Sequence, residues 1–207
     1  MNIKTKILKI KGDWKEVVND CRATVGKPDV NVEPSEDFKK KILIAEHSPI
    51  RDILIKWFWE NMPHWVTVHF VRHRWEKFVE TQREDRASLP CPRDELPQGE
   101  PQNFKGEANI QHLIDTSRKR LCFMASPETR KYWENLKLTI HDEYDPYIAD
   151  VMVPNCVYRC GCPEMTECPA KFWEFLIKET RGVILTMDIQ KRYDLYNEIF
   201  YKKFRKE

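Results

Sequence analysis

The chain opens on alternating apolar and polar positions, Ile3, Lys4, Thr5, Lys6, Ile7, Leu8, Lys9 and Ile10, which read as a half-buried strand. Asp13 then stands where an N-cap belongs and predicts a helix to about Val25, ended by Gly26 with Pro28 just beyond. Residues 27–33 read as a loop, and Ser35 caps a short helix over 36–45. In residues 52–61, Ile53, Ile55, Trp57 and Trp59 alternate with Leu54, Lys56 and Phe58. A buried strand is the reading there, although Ser48-Pro49 could equally begin a helix.

Residues 63–74 carry two patterns at once. Val66, Thr67, Val68, Phe70 and Val71 favour a strand by propensity. Yet Trp65, Val68 and Arg72 share one helical face, and Pro63 suits a first helical turn. Residues 89–105 hold four prolines and few apolar side chains, which predicts an irregular connection of the kind that often serves as a lid or binding segment. Helical periodicity returns over 108–124, where Ile110, Leu113, Ile114, Ser117, Leu121 and Met124 form one stripe. Ser126-Pro127-Glu128 begins a further helix to about Asp142, and Asp145-Pro146 a shorter one. After a cysteine-rich insert at 154–168, residues 169–180 and 188–204 read as two helices separated by Gly182.

A length of 207 residues and the lack of any internal repeat point to a single domain over 1–207, with residues 169–207 as a helical C-terminal extension. Lys and Arg number 35 against 33 Asp and Glu, a net charge of +2, which argues against a dedicated nucleic-acid binder. No apolar run reaches the roughly 18 residues of a membrane span. Lysines interrupt the first residues where a leader would be apolar, so the expected location is the cytoplasm. Seven cysteines, clustered late, fit a reducing compartment better than a disulfide framework. The six glycines are scattered, and no two lie within six residues of each other. A dinucleotide loop and a P-loop are both excluded, because each needs closely spaced glycines to let backbone approach phosphate.

Two groups of residues could carry chemistry. Arg72-His73-Arg74 places two guanidiniums around a flat imidazole, and Glu80, Thr81, Gln82, Arg83 and Arg86 follow. Arginine forks suit phosphates and pyrimidine carbonyls because they donate in pairs. By charge pattern alone, neutralisation by Glu76, Glu80, Glu84 and Asp85 explains the same stretch as a solvated surface. The second group is the helix with Asn109, Gln111, Asp115, Arg118, Lys119, Arg120 and Cys122, where three consecutive cations exceed the acidic neighbours. Viewed alone it is an ordinary surface helix.

Together these stretches resemble a known family. Met62-Pro63-His64-Trp65-Val66-Thr67-Val68-His69-Phe70-Val71-Arg72-His73-Arg74 looks like the signature region of flavin-dependent thymidylate synthases. Asn109 to Asp115, then Arg120-Leu121-Cys122, then Ala125 to Arg130, resembles that family's second block with its gaps preserved. Thr81 to Arg86 and Arg93 to Gln98 match a shortened branch, and the resemblance spans roughly Glu46 to Arg130. It implies a homotetrameric α+β flavoprotein with a small mixed sheet, flanking helices and active sites between subunits. It further implies one-carbon transfer from methylenetetrahydrofolate to C5 of dUMP, with FAD reduced by NADPH. By position, Arg72, His73 and Arg74 would hold the flavin, with Asn109, Asp115 and the early Ser48 also on the cofactor. Arg120 would polarise the pyrimidine ring, helped by Arg72, while His69 and Glu80 lie toward the nucleotide. Thr81-Gln82-Arg83, or else Arg86, would bind its phosphate. Glu46 replaces a histidine of the motif, Arg51 an acidic residue and Gln111 an arginine. Hydroxymethylation at C5 keeps the same fold as an alternative product.

Cys156-x3-Cys160-x-Cys162-x5-Cys168 lies outside the family pattern. Four thiols this dense could hold zinc or an iron–sulfur cluster, with Cys122 able to replace Cys160. Reduced thiols packed as small hydrophobes are the alternative. A metal-stapled nucleic-acid-binding module built on this segment and the Arg118-Lys119-Arg120 face is the competing reading from another class.

Overall fold

β1 (Thr5–Lys11) begins the fold and leads through Gly12 into α1 (Trp14–Ala23), whose Asp13 cap closes a reciprocal box with Glu16. Gly12 is required there: its φ is +76°, and an added Cβ would stand 2.3 Å from the Asp52 carbonyl oxygen. α2 (Glu36–Ala45), capped by Ser35, and a 3-10 turn at Ser48–Asp52 bring the chain to β2 (Leu54–Pro63). The strand over 52–61 and the turn at Ser48-Pro49 are therefore both present, one after the other. α3 (His64–Phe70), β3 (Glu76–Val79) and β4 (Pro101–Asn109) follow. The helical part comprises α4 (Ile110–Arg120), α5 (Pro127–Glu143), α6 (Pro146–Asp150), α7 (Asn155–Arg159), α8 (Phe172–Glu179) and α9 (Ile189–Phe204). This computed structural model describes residues 3–204.

The architecture is α+β, with one four-stranded sheet in the order β1-β2-β4-β3. Every pairing in it is antiparallel, so the sheet is not mixed as the resemblance implied. Two strands also replace expected irregular chain. β3 sits in the charged stretch after Arg74, and β4 takes the last third of the proline-rich connection, leaving only residues 80–100 irregular apart from one short 3-10 turn. Pro63 ends β2 opposite Pro101, where neither residue has an N–H to donate, and is at the same time the N-cap of α3, so the helical pattern of residues 63–74 prevails over the strand-like one. The helix expected from residue 108 starts at Ile110, because Ala108 and Asn109 still belong to β4.

The sheet's inner face and the helices enclose an aromatic core. Trp57, Trp59, Phe70, Phe104, Tyr132 and Trp133 are all fully buried. Trp75 joins them at 5.0 Å from Trp57 and 6.1 Å from Trp133 between ring centroids. Gly106 makes room for this cluster: a Cβ there would lie 2.3 Å from the Trp57 ring. β1 is locked to α5 by Thr5, whose N–H and hydroxyl donate to Asn135 Oδ1 at 2.9 and 2.6 Å. The same hydroxyl accepts from Trp59 Nε1 at 2.7 Å, and Trp14 Nε1 donates to Asp145 at 2.6 Å.

The C-terminal helices share this core. Lys137 of α5 is buried, donating to Met152 O at 2.8 Å and Asn197 Oδ1 at 2.6 Å. The rings of Tyr196 and Phe200 lie 4.7 and 4.6 Å from its Nζ, and burial lowers its pKa, so a buried amine with both polar partners satisfied ties α9 to α5.

Gly106→Ala should therefore destabilise the protein by about 1–3 kcal/mol through overpacking. Gly99→Ala, which meets nothing within 4 Å, should stay within about 0.5 kcal/mol of the parent. Urea unfolding followed by tryptophan fluorescence measures both, and equal midpoints for the two variants would contradict this account of the core.

Candidate active site

Between the 3-10 turn, the bend after α3 and the first turns of α4 lies a cleft of about 570 Å³, within the usual size of small-molecule sites. Its cations are Arg51, Arg72 and Arg74, and its imidazoles are His73 and His112. Asn109, Gln111, Asp115 and Thr116 line the α4 side, with Trp75 at the base. α3 explains how strand-like residues serve here. Val66, Thr67 and Phe70 turn inward at helical spacing, and the helix stops so that residues 71–74 form an exposed bend. Lys77 holds that bend by donating to the carbonyls of His73 and Trp75 while lying 4.8 Å over the Trp75 ring.

Trp75 fixes the bend from below. Its indole N–H donates to Thr116 Oγ1 at 3.1 Å, and its ring lies within 9° of parallel to His73. On α4, Asn109 caps the helix by accepting from His112 N at 2.9 Å. Spaced three residues apart, Asn109, His112 and Asp115 share the α4 face that lines the cleft.

Electrostatics set the protonation of the site. Arg120 donates from Nε to His73 Nε2 at 2.7 Å and from Nη2 to the His69 carbonyl. A ring nitrogen that accepts from a guanidinium carries no proton, so the His73 proton is on Nδ1. Burial first, then the charges of Arg120 and Lys77, push the His73 pKa down to about 4. Burial also lowers His69, with Arg120 and Arg72 adding to it. His112 is lowered chiefly by burial, opposed by Asp115 and reinforced by Arg51, Lys77 and Arg74. All three imidazoles thus favour the neutral form beside several fixed cations.

The expected site residues divide into groups. Arg72, His73, Arg74, Asn109 and Asp115 converge on the cleft. Arg120 and His69 stand on the other side of His73, linked to the cleft through Arg72, whose charge acts on both. Ser48 is exposed at the start of the 3-10 turn, and the same turn delivers Arg51 to the cleft instead. Glu80 accepts from Asn103 N at 2.8 Å at the end of β3, outside the cleft. Thr81, Gln82, Arg83 and Arg86 lie in the following turn, also away from it. Arg83 grips Asp85 through two donors at 2.9 and 2.6 Å, whereas Arg86 stands 3.9 Å from that carboxylate.

Arg51, His112 and Thr116 were missed. The signal was present, since His112 and Thr116 follow Asn109 at helical spacing. Two departures from the family motif meet in space: Gln111 donates to Glu46 at 2.6 Å, and Arg118 pairs with the same carboxylate. The cysteines are free thiols, and among the described residues no three His, Cys, Asp or Glu side chains are arranged to hold a metal ion. No helix among the described residues is long and apolar enough to cross a membrane.

In an NMR titration His73 should remain neutral down to about pH 5 and protonate near its folded value of about 4. Its unfolded pKa is about 6.5, so the folded state binds fewer protons between the two values. The stability it contributes is present above about 6.5 and is lost as pH falls through 4. Arg120→Met should move the midpoint upward; a wild-type midpoint near 6.5 would refute the hydrogen-bond assignment.

No family model matches the chain, and no curated protein matches it in sequence. In three dimensions it is similar to the crystal structure of a UMP/dUMP methylase, PolB, from Streptomyces cacaoi bound with 5-Br dUMP. The TM-score is 0.57 at 13% identity, over 72% of this chain and 94% of that one. The likeness establishes a shared α+β fold.

Proposed function

We propose that the chain is a flavin-dependent enzyme that methylates C5 of a pyrimidine deoxynucleotide, dUMP in the first instance. The observation that carries this reading is the cleft itself: three guanidiniums around neutral imidazoles, at the junction of the two stretches that resemble flavin-dependent thymidylate synthases. The neighbour of the same fold is a UMP/dUMP methylase bound with 5-Br dUMP, which adds support for the substrate class.

The residues fit a dinucleotide flavin without any glycine loop. Arg51, Arg72 and Arg74 offer paired donors to phosphates, while Asn109 and Asp115 offer polar contacts to a heterocycle. These residues would hold FAD, which, reduced by NADPH, would supply the hydride for one-carbon transfer from methylenetetrahydrofolate. Arg120 is the ring-polarising group. Its Nε and Nη2 are held by His73 and the His69 carbonyl, and its Nη1 has no hydrogen-bond partner among the described residues. A fixed, half-buried guanidinium aimed at a pyrimidine carbonyl stabilises charge that develops as C5 becomes nucleophilic. No protein nucleophile is then required. Neutral His73 matters because a second cation would repel Arg120 and loosen its aim. Of the two phosphate candidates outside this cleft Arg86 is the freer, since Arg83 is held to Asp85 by two hydrogen bonds, and either would serve only a nucleotide seated by another copy of the chain. The open side of the cleft suits completion by a second copy in a homotetramer.

The test is incubation of purified protein with FAD, NADPH, methylenetetrahydrofolate and dUMP, read by mass spectrometry. Methylation adds CH2 to the nucleotide, whereas hydroxymethylation adds CH2O. Arg120→Ala should lower turnover about a hundredfold or more while the flavin's visible absorption is retained. Arg74→Ala should weaken FAD uptake itself. Protein that stays colourless and takes up no FAD when it is supplied would overturn the proposal.

A further inference from the structure

Strand register fixes what the sheet shows on the face turned away from the core. Trp57, Trp59 and Phe104 point inward and are fully buried, so their chain neighbours on β2 and β4 point outward. Across the strands, Lys6 pairs with Phe58, Phe58 with Lys105, and Lys105 with Phe78. One row thus crosses all four strands as cation, ring, cation, ring. The next row runs Lys9, Lys56, Glu107 and Glu76. Lys6, Lys9 and Lys105 are exposed, Phe58 is half-buried, and Phe78 is 54% exposed. The ammoniums of Lys105 and Lys56 lie 5.8 Å over the Phe58 ring and 5.1 Å over the Phe78 ring. Glu107 takes Lys11 at 2.6 Å and Lys56 at 3.6 Å. Lys6, Lys9 and Lys105 have no carboxylate at ion-pair distance among the described residues.

We propose that this outer sheet face binds single-stranded nucleic acid, with bases stacked on Phe58 and Phe78 and phosphates on Lys6, Lys9 and Lys105. The rings stand on β2 and β3 with β4 between them, two strand spacings or about 10 Å apart. An ammonium over an exposed ring is held weakly, and a base covers more of the ring, so stacking displaces both lysines. Lys105 then turns to phosphate. Glu107 and Glu76 close one end of the second row and keep the strand on the first. An acidic peptide would satisfy the lysines but has no use for two bare rings. A second copy laid against this face would bring two sets of unpaired lysines together, which opposes self-association there. The whole-chain charge of +2 bears on a dedicated binder, not on one face with three unpaired cations. None of these residues lines the cleft, so the surface stands independently of what the cleft binds.

The experiment is fluorescence anisotropy of labelled oligothymidylate and oligouridylate, each of about twelve nucleotides, titrated with the full chain at several salt concentrations. The two arms separate DNA from RNA, and binding in either supports the surface. Three phosphates released at roughly 0.7 each give an expected slope of log affinity against log salt of about −2. Lys105→Gln should flatten that slope by about 0.7. Phe78→Ala, and Phe58→Leu which keeps apolar bulk, should each weaken binding about tenfold at unchanged slope, with parental far-ultraviolet circular dichroism. Arg74→Ala, in the cleft, should bind the oligonucleotide as the parent does. Four results would overturn the surface: no binding at low salt, a duplex of the same length bound as tightly, polyglutamate competing as well as the oligonucleotide, or equal losses in Arg74→Ala and Phe78→Ala.

Discussion

Trp75 stands one residue beyond the Arg72-His73-Arg74 bend, and burying it is what places that bend. Its ring enters the cluster of Trp57, Phe70, Phe104 and Trp133, and its N–H reaches Thr116 on α4. Trp133 makes the matching bond one residue along, to Ser117 Oγ at 2.8 Å. Two indoles thus present their polar edges to one helix while their faces fill the core, which is where a buried tryptophan finds both requirements met. The helix so held also carries Asn109, His112, Asp115 and Arg120. The cationic bend and the polar helix face are therefore set against each other by the core, with no loop left to find its own position.

The same economy shows in the charges. An exposed bend with Arg72 and Arg74 beside Arg51 and Arg120 would repel itself if the imidazoles among them were also protonated. Burial and the guanidiniums keep His69, His73 and His112 toward the neutral form, so each can accept as well as donate. Away from the cleft, Arg118 is handled differently: Glu46 and Asp115 neutralise it, and Tyr158 covers its guanidinium at 3.8 Å. One helix thus holds a neutralised arginine and, two residues later, an arginine whose charge has no carboxylate partner among the described residues. The difference in neighbours, not in residue type, separates structure from chemistry here.

Capped helices were the most legible part of the chain. Asp13, Ser35, Ser126 and Asp145 each do at the start of a helix what their side chains predict. β4 was hidden because, of its inward positions, only Phe104 is bulky and apolar; Gln102, Gly106 and Ala108 are polar or small where alternation expects bulk. The bulk is on β2, in Trp57 and Trp59, and a strand facing such rings must be slim. α3 was ambiguous because its β-branched residues are helical only through burial against the sheet. The bend, the α4 face and Arg120 were readable from motif spacing. Arg51 was not, since it reaches the cleft by a turn that brings distant residues together. Thr81–Arg86 could be read as a motif, but only the folded chain shows it standing clear of the cleft.

The bonds from Thr5 to Asn135 and from Trp14 to Asp145 span 130 and 131 residues. A chain made from its N-terminus cannot close either of them until more than half of it exists. β1 and α1 must therefore wait, solvated and unpaired on one side, while the tryptophans of β2 are already seeking cover. Long loop closure ahead of any reward is the condition that slows folding and exposes apolar surface to other chains. The lysines of β1, Lys6, Lys9 and Lys11, keep that waiting segment soluble, and in the finished sheet the same charges guard the open edge that β1 forms.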